Sequence, residues 1–265
     1  MMRLWPALLL LAGCSGGPEI IPGRIVSNNP CIDAILWRVA APDQIGAVSQ
    51  WSHDPDGASA PLDWAKRYPA LGPTAEEAIA ASPRLLLTGN LAGTGTNSAI
   101  AKAGIPIVSA GVPATIADSI TQVRLVAKAI GRSAAGEQLV RDIAAATRQQ
   151  QPRGSAIIWQ SGGFVPGKGT LQDELLARAG YANASTRYGL AQWDVLPMEM
   201  LVRSPPDIIF MPTRAKGDDA RALAARSHLL RHLSGRTRIV PFPDRLLFCG
   251  GPTIIEAMRI MKAAA

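Results

Sequence analysis

Residues 74–88 read TAEEAIAASPRLLLT, and this stretch decides the fold class. Thr74 is suited to cap a helix, and Glu77 three residues later completes a capping box, so a helix is predicted over 75–82. Pro83 ends that helix, and the apolar run that follows over 84–88 is typical of a buried strand. A helix followed at once by a buried strand favours an α/β fold, in which a parallel sheet is covered on both faces.

The same unit recurs later in the chain, where residues 199–211 read EMLVRSPPDIIFM. Glu199 stands seven residues before Pro206, as Glu76 stands seven residues before Pro83. Similar patterns predict helices over 31–39, 97–103, 171–179, 197–204, 219–225 and 252–263, and strands over 24–27, 44–48, 105–109, 155–160, 207–211 and 237–241. The alternation predicts two equivalent α/β lobes, each with a carboxylate at the start of a short helix.

Between the two lobes, from Thr115 to Gln150, the pattern is helical only. Its second part, from Ala134 to Gln150, would be about 25 Å long at 1.5 Å per residue. The interpretation is an α/β protein of two Rossmann-like lobes with mainly parallel sheets joined by a long rigid α-helix. The predicted boundaries are an N-terminal lobe over 24–114, a helical segment over 115–152 and a C-terminal lobe over 153–265.

The first residues carry an export signal. A short basic start is followed by an apolar run from Leu4 to Leu11, which is too short to span a bilayer as a helix. The run ends in Leu11-Ala12-Gly13-Cys14, which resembles the bacterial lipobox, in which the cysteine becomes the lipidated first residue. We therefore predict a signal peptide over 1–14, a tether over 15–23 and a periplasmic lipoprotein. The alternative is an ordinary secretory signal with an incidental cysteine.

The charge of the chain does not by itself indicate a partner. The formal net charge is +7, but no run of five or more basic residues occurs. Scattered Lys and Arg residues favour a solvated basic surface, and no nucleic-acid partner is predicted.

The motifs that would indicate catalysis fail one by one. The segment from Gly162 to Thr170 resembles a phosphate-binding loop, but Gly169 stands where a hydroxyl residue must follow Lys168. No G-x-S-x-G elbow occurs, and His228 and His232 lie among arginines that would repel a metal ion. No catalytic residue, metal site or cofactor is therefore predicted.

The tryptophans are more informative. Only 5% of the residues are aromatic, yet six are Trp. Trp51 and Trp193 fall in predicted loops, which suits a cleft for a large, flat ligand. Trp37 and Trp159 fall in apolar elements and are predicted to lie in the core, whereas Trp64 fits either position. His53 follows a strand, where an exposed loop histidine is favoured over a ligand contact.

Several motifs, taken in order, resemble the periplasmic binding proteins for vitamin B12, iron siderophores and haem. They are RIVSNNP over 24–30, GPTAE over 72–76 through ASP over 81–83, FVPGKGT over 164–170, and Glu199 through SPPDII over 204–209. The resemblance implies a shallow cleft between the lobes. It also implies that Glu76 and Glu199 dock onto arginines of a membrane permease.

The resemblance extends to the residues of the cleft. It implies apolar walls at Trp51, Trp193, Phe164 and Phe248, with polar contacts from His53 and the 162–169 backbone. Cys31 and Cys249 map onto loops that border the cleft. They are expected to form a disulfide across the lobes, to act as soft ligands for a bound metal, or to be two separate buried thiols.

The function implied is capture of a metal chelate by a monomer that delivers it to an ABC permease and its ATPase. A corrinoid is placed first, then a ferric siderophore, for which Arg187, Tyr188 and Arg214 would be available, then haem. Ala70-Leu71 stands where the B12-binding members have an aromatic residue, which weakens the corrinoid assignment. The alternatives are an α/β enzyme for a phosphorylated or nucleotide substrate and a lipoprotein adaptor of the same fold.

Overall fold

A computed structural model of the protein describes residues 18–89, 94–212 and 220–264. The predicted signal peptide, Cys14 and Arg214 lie outside these ranges. Within them, no helix combines the length and the apolar character needed to cross a membrane.

The first lobe is built around a five-stranded parallel sheet. Its elements are β1 (Ile25–Ser27), α1 (Pro30–Val39), β2 (Ile45–Ser49), α2 (Leu62–Ala65), β3 (Ala70–Leu71), α3 (Ala75–Ala80), β4 (Leu85–Gly89), α4 (Thr94–Lys102) and β5 (Ile107–Ala110). The strand order is β3-β2-β1-β4-β5, and every neighbouring pair is parallel. Asn29 caps α1 by accepting hydrogen bonds from the backbone N–H groups of Cys31 and Ile32, which fixes the start of the helix at the end of β1.

Two helices, α5 (Ile116–Ala129) and α6 (Ser133–Ala146), connect the lobes. Thr115 and Asp118 form a capping box at the start of α5. The two helices cross closely, because a Cβ added to Gly136 would lie 2.4 Å from the Cβ of Ala127. Arg38 of α1 pairs with Asp142 of α6 at 2.9 Å, so the connecting helices are fastened to the first lobe.

The second lobe repeats the α/β plan with an added ribbon. Its elements are β6 (Gly154–Ile158), β7 (Phe164–Pro166), α7 (Leu171–Arg178), β8 (Tyr181–Asn183), α8 (Ala184–Arg187), β9 (Trp193–Val195), α9 (Met198–Arg203), β10 (Ile208–Met211), α10 (Ala220–His232), β11 (Arg238–Pro241) and α11 (Thr253–Ala263). Four strands form a parallel sheet in the order β11-β10-β6-β8. Strands β7 and β9 pair antiparallel as a separate ribbon. The predicted class, two α/β lobes with mainly parallel sheets, is confirmed.

The core explains why the strands are apolar on both faces. Ile158 and Phe210 belong to a hydrophobic cluster that runs through both lobes and the connecting helices, whereas Ile157 and Ile209 belong to a second cluster on the opposite face of their sheet. Successive side chains of a strand alternate between faces, so each strand feeds both layers. Because the larger cluster includes Ile35 of the first lobe and Met258 of the second, the lobes share one core.

Three sequence predictions require correction. Residues 50–72, predicted as loop, contain α2 and the two-residue strand β3, which is too short to show a period. The helix predicted over 219–225 continues to His232. Trp37, predicted as core, is 38% exposed, because Ile32, Ile35, Leu36 and Val39 form the buried face of α1 and Trp37 lies outside it.

Candidate ligand-binding site

A cavity of about 760 Å³ opens between the lobes at the carboxyl ends of the parallel strands. In the first lobe it is lined by residues that end or follow β1, β2, β3, β4 and β5, among them Asn28, Trp51 and Thr88. In the second lobe it is lined by the 169–172 segment, by Gln192 and Trp193, and by residues 247–249. The carboxyl edge of an open parallel sheet is the usual place for a ligand.

The walls of the cavity carry exposed aromatic side chains. Trp51 is 51% exposed, Trp193 49% and Phe248 57%, and all three line the cavity. The two lobes together therefore present apolar aromatic surface to one cavity, and such a concave apolar surface is suited to contact with a ligand. The structure thus places three of the aromatic residues expected at the site in one cavity.

The polar part of the lining is neutral. It consists of amide and hydroxyl side chains, namely those of Asn28, Asn29, Thr88, Thr96, Thr170, Gln172 and Gln192. None of the described residues that line the cavity is a Lys, Arg, His, Asp, Glu or Tyr. Among the described residues, no group of three or more His, Cys, Asp or Glu side chains is arranged to hold a metal ion. The side chains of the described lining can donate and accept hydrogen bonds but carry no charge.

Cys31 and Cys249 form a disulfide, with their Cα atoms 5.0 Å apart, and both residues line the cavity. Cys31 is in the first turn of α1, and Cys249 precedes α11, so the bond fastens one lobe to the other beside the ligand space. Ser59 donates a hydrogen bond to the Cys249 Sγ at 3.1 Å. Paired sulfurs are not available as thiolate ligands, so this state of the protein excludes the soft-ligand role.

A buried carboxylate supports Trp51 from behind. Asp33 of α1 is fully buried, and its Oδ2 accepts hydrogen bonds from the Ser49 N–H at 2.8 Å and from the Ser52 Oγ at 2.6 Å. These two serines flank the turn that carries Trp51. Burial raises the pKa of Asp33 to about 7, against which hydrogen bonds from Ser27, Ser52 and the Ser49 backbone act. Sequence analysis missed this residue, since a first-turn Asp also suits a helix start without any further role.

Two residues expected at the site do not line the cavity. His53 lies in a half-buried turn after β2 and is absent from the lining. Phe164 is 49% exposed on β7 and pairs with Val195, while Pro166 pairs with Trp193. Directly opposed residues share a face of a ribbon, so Phe164 extends the surface of Trp193 beyond the cavity.

The glycine-rich loop does not form a phosphate cradle. The Gly167 N–H donates to the Gln192 carbonyl at 2.7 Å, and the Gly169 N–H donates to the Asp173 carboxylate at 3.2 Å. Both amides are therefore occupied, one of them by an anion that would repel phosphate. This arrangement removes the observation on which the enzyme alternative depended.

The remaining expected residues lie away from the cavity. Glu76 and Glu199 are exposed in the first turns of α3 and α9. Arg187 and Tyr188, considered as siderophore contacts, both donate to the Ser204 carbonyl, at 3.0 and 2.6 Å. Neither residue lines the cavity.

The chain is similar in structure to several solved binding proteins. The periplasmic heme-binding protein RhuT from Roseiflexus sp. RS-1 is 24% identical, with a TM-score of 0.72 over 92% of this chain and 99% of that one. The periplasmic heme-binding protein HutB of Vibrio cholerae is 18% identical, with a TM-score of 0.72 over 91% and 98%. A possible iron-binding, periplasmic solute-binding protein from Staphylococcus epidermidis is 18% identical, with a TM-score of 0.71 over 91% and 97%.

At these identities the likeness establishes the fold and not the ligand. No curated protein sequence matches the chain. The family described as periplasmic binding protein matches residues 25–233, which run from the start of β1 to just past the end of α10. The chain therefore belongs to the periplasmic binding protein family.

Proposed function

We propose that this protein is the substrate-binding component of an ABC importer and that it captures a neutral, flat metal chelate, with a corrinoid as the favoured ligand. The observation that carries the proposal is the cavity between the lobes, whose described lining consists of aromatic walls and uncharged polar side chains. Under this proposal the protein carries a solute and performs no catalysis.

The lining favours a corrinoid over haem. Protein-bound haem iron takes an axial ligand from His, Cys thiolate, Met or Tyr, and the described lining contains none of these in a free state. Haem also carries two carboxylates, which would lose their water without gaining a cation from the described lining. A corrinoid presents mainly neutral amide side chains and brings its own axial ligands. The amides of Asn28, Gln172 and Gln192 match such a periphery through hydrogen bonds.

A ferric siderophore would require partners of another kind. Its complexes often carry net negative charge, and Arg pairs would be the natural recognition groups. Arg187 is engaged at the Ser204 carbonyl and lies outside the cavity lining. The siderophore is therefore the second candidate.

Calorimetric titration with cyanocobalamin, haemin and an anionic ferric catecholate tests the order of ligands. We expect the tightest binding for cyanocobalamin, and we expect Trp193→Ala to weaken it about tenfold or more, as for an aromatic residue central to an interface. Trp37→Phe is the matched control, because Trp37 is also partly exposed but lies outside the cavity. Tighter binding of haemin than of cyanocobalamin would refute the ligand assignment while leaving the transport role intact.

Delivery would depend on Glu76 and Glu199. They lie in different lobes, and neither makes a hydrogen bond or ion pair with another described residue. Two unpartnered carboxylates are suited to pair with cations of a permease and to fix its orientation.

The basic start, the apolar run and the lipobox-like end of residues 1–14 support the proposal that the importer component is a periplasmic lipoprotein. We expect Cys14→Ser to abolish incorporation of radiolabelled palmitate in cells. Labelling that persists in this variant would show that the lipid is attached elsewhere.

A further inference from the structure

The basic residues that are scattered along the sequence are gathered in part by the fold. Arg148 and Arg153 precede β6, Arg236 and Arg238 stand before and at the start of β11, and Lys262 is at the end of α11. We call these five residues the basic edge. They lie at the amino end of the second lobe's parallel sheet, whereas the cavity lies at its carboxyl end.

Direct contacts join two arginines of the basic edge to the end of α11. The Arg153 Nη1 donates to the Lys262 carbonyl at 2.7 Å, and the Arg238 Nη1 donates to the Ala264 carbonyl at 2.8 Å. Both arginines thus meet the end of α11, where cations are favoured by the helix dipole. Burial lowers the pKa of Lys262, and the positive charges of Arg153 and Arg148 lower it further, so these three cations are close enough to repel one another.

Contacts at the helix ends explain three of the five residues, because the Lys262 Nζ also donates to the Ala146 carbonyl at the end of α6. The side chains of Arg148 and Arg236 are exposed and have no ion-pair partner among the described residues. Asp207 is at the same edge, but its carboxylate accepts hydrogen bonds from the N–H and the Oγ of Ser155. A cluster of cations held together against mutual repulsion indicates an anionic partner.

We propose that the basic edge rests on anionic phospholipid headgroups and so holds the cleft facing away from the membrane. Several positive charges on one side of a protein are suited to a membrane surface, where each exposed Lys or Arg raises the partition coefficient onto anionic lipid about fivefold. The position of the edge, opposite the cleft, lets the protein lie on lipid with its ligand space open.

The chain entry agrees with this orientation. The described chain enters β1 at the amino end of the first lobe's sheet, and α6 joins the amino ends of the two sheets over about 21 Å. Nine residues separate Cys14 from Arg24, so the ten steps from one Cα atom to the next span up to about 35 Å when extended. A lipid on Cys14, which is part of the proposed function, would therefore allow the basic edge to reach the same membrane.

The test is co-sedimentation of the chain from Ser15 onward, which keeps every element of the described fold, with vesicles. We expect binding to phosphatidylcholine vesicles that contain phosphatidylglycerol, weaker binding to pure phosphatidylcholine, and loss of binding between about 0.02 and about 0.5 M salt. The double variant Arg148→Gln/Arg236→Gln should bind about 25-fold more weakly.

The matched control is Lys66→Gln/Arg67→Gln, which removes the same charge from exposed positions of the first lobe. Equal losses in both variants would overturn the proposal, since net charge and not the edge would then be responsible. Equal binding to vesicles with and without phosphatidylglycerol would overturn it too. If Arg148→Gln/Arg236→Gln has a lower Tm than the unmodified chain, the variant Arg148→Lys/Arg236→Lys, which keeps the charge, should still bind lipid. Loss of lipid binding by this lysine variant would also overturn the proposal.

The edge variant should bind cyanocobalamin as the unmodified chain does, because the cavity is at the other end of the sheet. Lipid binding without cyanocobalamin binding would contradict the proposed ligand alone. Cyanocobalamin binding without lipid binding would contradict the basic edge alone.

Discussion

Removal of the disulfide is the perturbation with the largest expected effect on stability. Cys31 and Cys249 are separated by 218 residues, so the bond closes nearly the whole folded chain into one loop. The loop-closure relation gives about 5 kcal/mol of stabilisation at 25 °C for a loop of this length. With an unfolding entropy of roughly 2.1 cal/mol/K per residue, this free energy corresponds to a fall of about 9 °C in Tm.

The double variant Cys31→Ser/Cys249→Ala tests this estimate with little disturbance of the packing. The Cys31 side chain is partly exposed and tolerates a hydroxyl, whereas Cys249 is 3% exposed and suits a small apolar side chain. Ser59 keeps a hydrogen-bond acceptor in the Arg245 carbonyl, at 3.3 Å. Circular dichroism melts would be recorded with and without dithiothreitol, and the reductant should lower the Tm of the unmodified chain to that of the variant. A Tm within about 1 °C of the unmodified chain would refute the reasoning.

Ligand affinity should fall together with stability. Phe248 precedes Cys249 in the chain and is 57% exposed in the cavity, so the bond to α1 fixes where this ring stands. Loss of the bond adds conformational freedom that the ligand must remove on binding. We expect weaker binding of cyanocobalamin by the double variant at temperatures where it is fully folded. Unchanged affinity would show that Phe248 is held by its loop alone.

Three further predictions concern single groups. The pKa of Asp33 is about 7 in the folded protein and 3.8 ordinarily, so its contribution to stability is fully present below pH 3.8 and is lost as the pH rises through 7, a loss of about 4 kcal/mol. In denaturant melts, Asp33→Asn should therefore gain stability relative to the unmodified chain between pH 4 and 7. Parallel dependence of the two stabilities on pH would contradict the raised pKa. Glu76→Gln and Glu199→Gln should leave cyanocobalamin binding unchanged and reduce uptake by cells, and an uptake equal to that of the unmodified chain would remove these residues from the docking contact. Gly167→Ala should destabilise the protein by about 1 to 3 kcal/mol in a guanidinium melt, because the new Cβ would lie 2.2 Å from the Ala191 carbonyl oxygen, whereas Gly95→Ala, with nothing within 4 Å, should change it little.

Those parts of the fold that bury continuous apolar runs were predictable from sequence. Strands such as β4 and β10 are apolar on both faces because a shared core and an outer layer cover them, and such runs stand out in a sequence. Strand β3 has two residues and the β7-β9 ribbon has three on each side, with Gly and Pro nearby, so no period could form. These elements exist because neighbouring strands supply their hydrogen bonds, which is tertiary information.

The site was predictable in its aromatic residues and not in its polar ones. Trp51 and Trp193 stood out because they were rare aromatic residues in predicted loops. Gln172 and Gln192 gave no such signal, since amides are common at surfaces and only the fold brings them into one cavity. Trp37 could have been placed correctly, because it directly follows Leu36 and so leaves the i, i+3, i+4 pattern that begins at Ile32.

The neutral lining has a consequence for selectivity in a chain whose formal net charge is +7. A positive protein attracts anionic chelates such as haem or many ferric siderophores from a distance, so long-range attraction would favour the wrong ligands. At the described lining, however, a carboxylate would lose its water and meet amides and hydroxyls in place of a cation. That desolvation cost acts against every anionic ligand and spares a neutral one, and it does so without any repulsive charge in the site. Under the proposed function, an unmatched desolvation cost would let a basic protein select a neutral corrinoid over an anionic chelate.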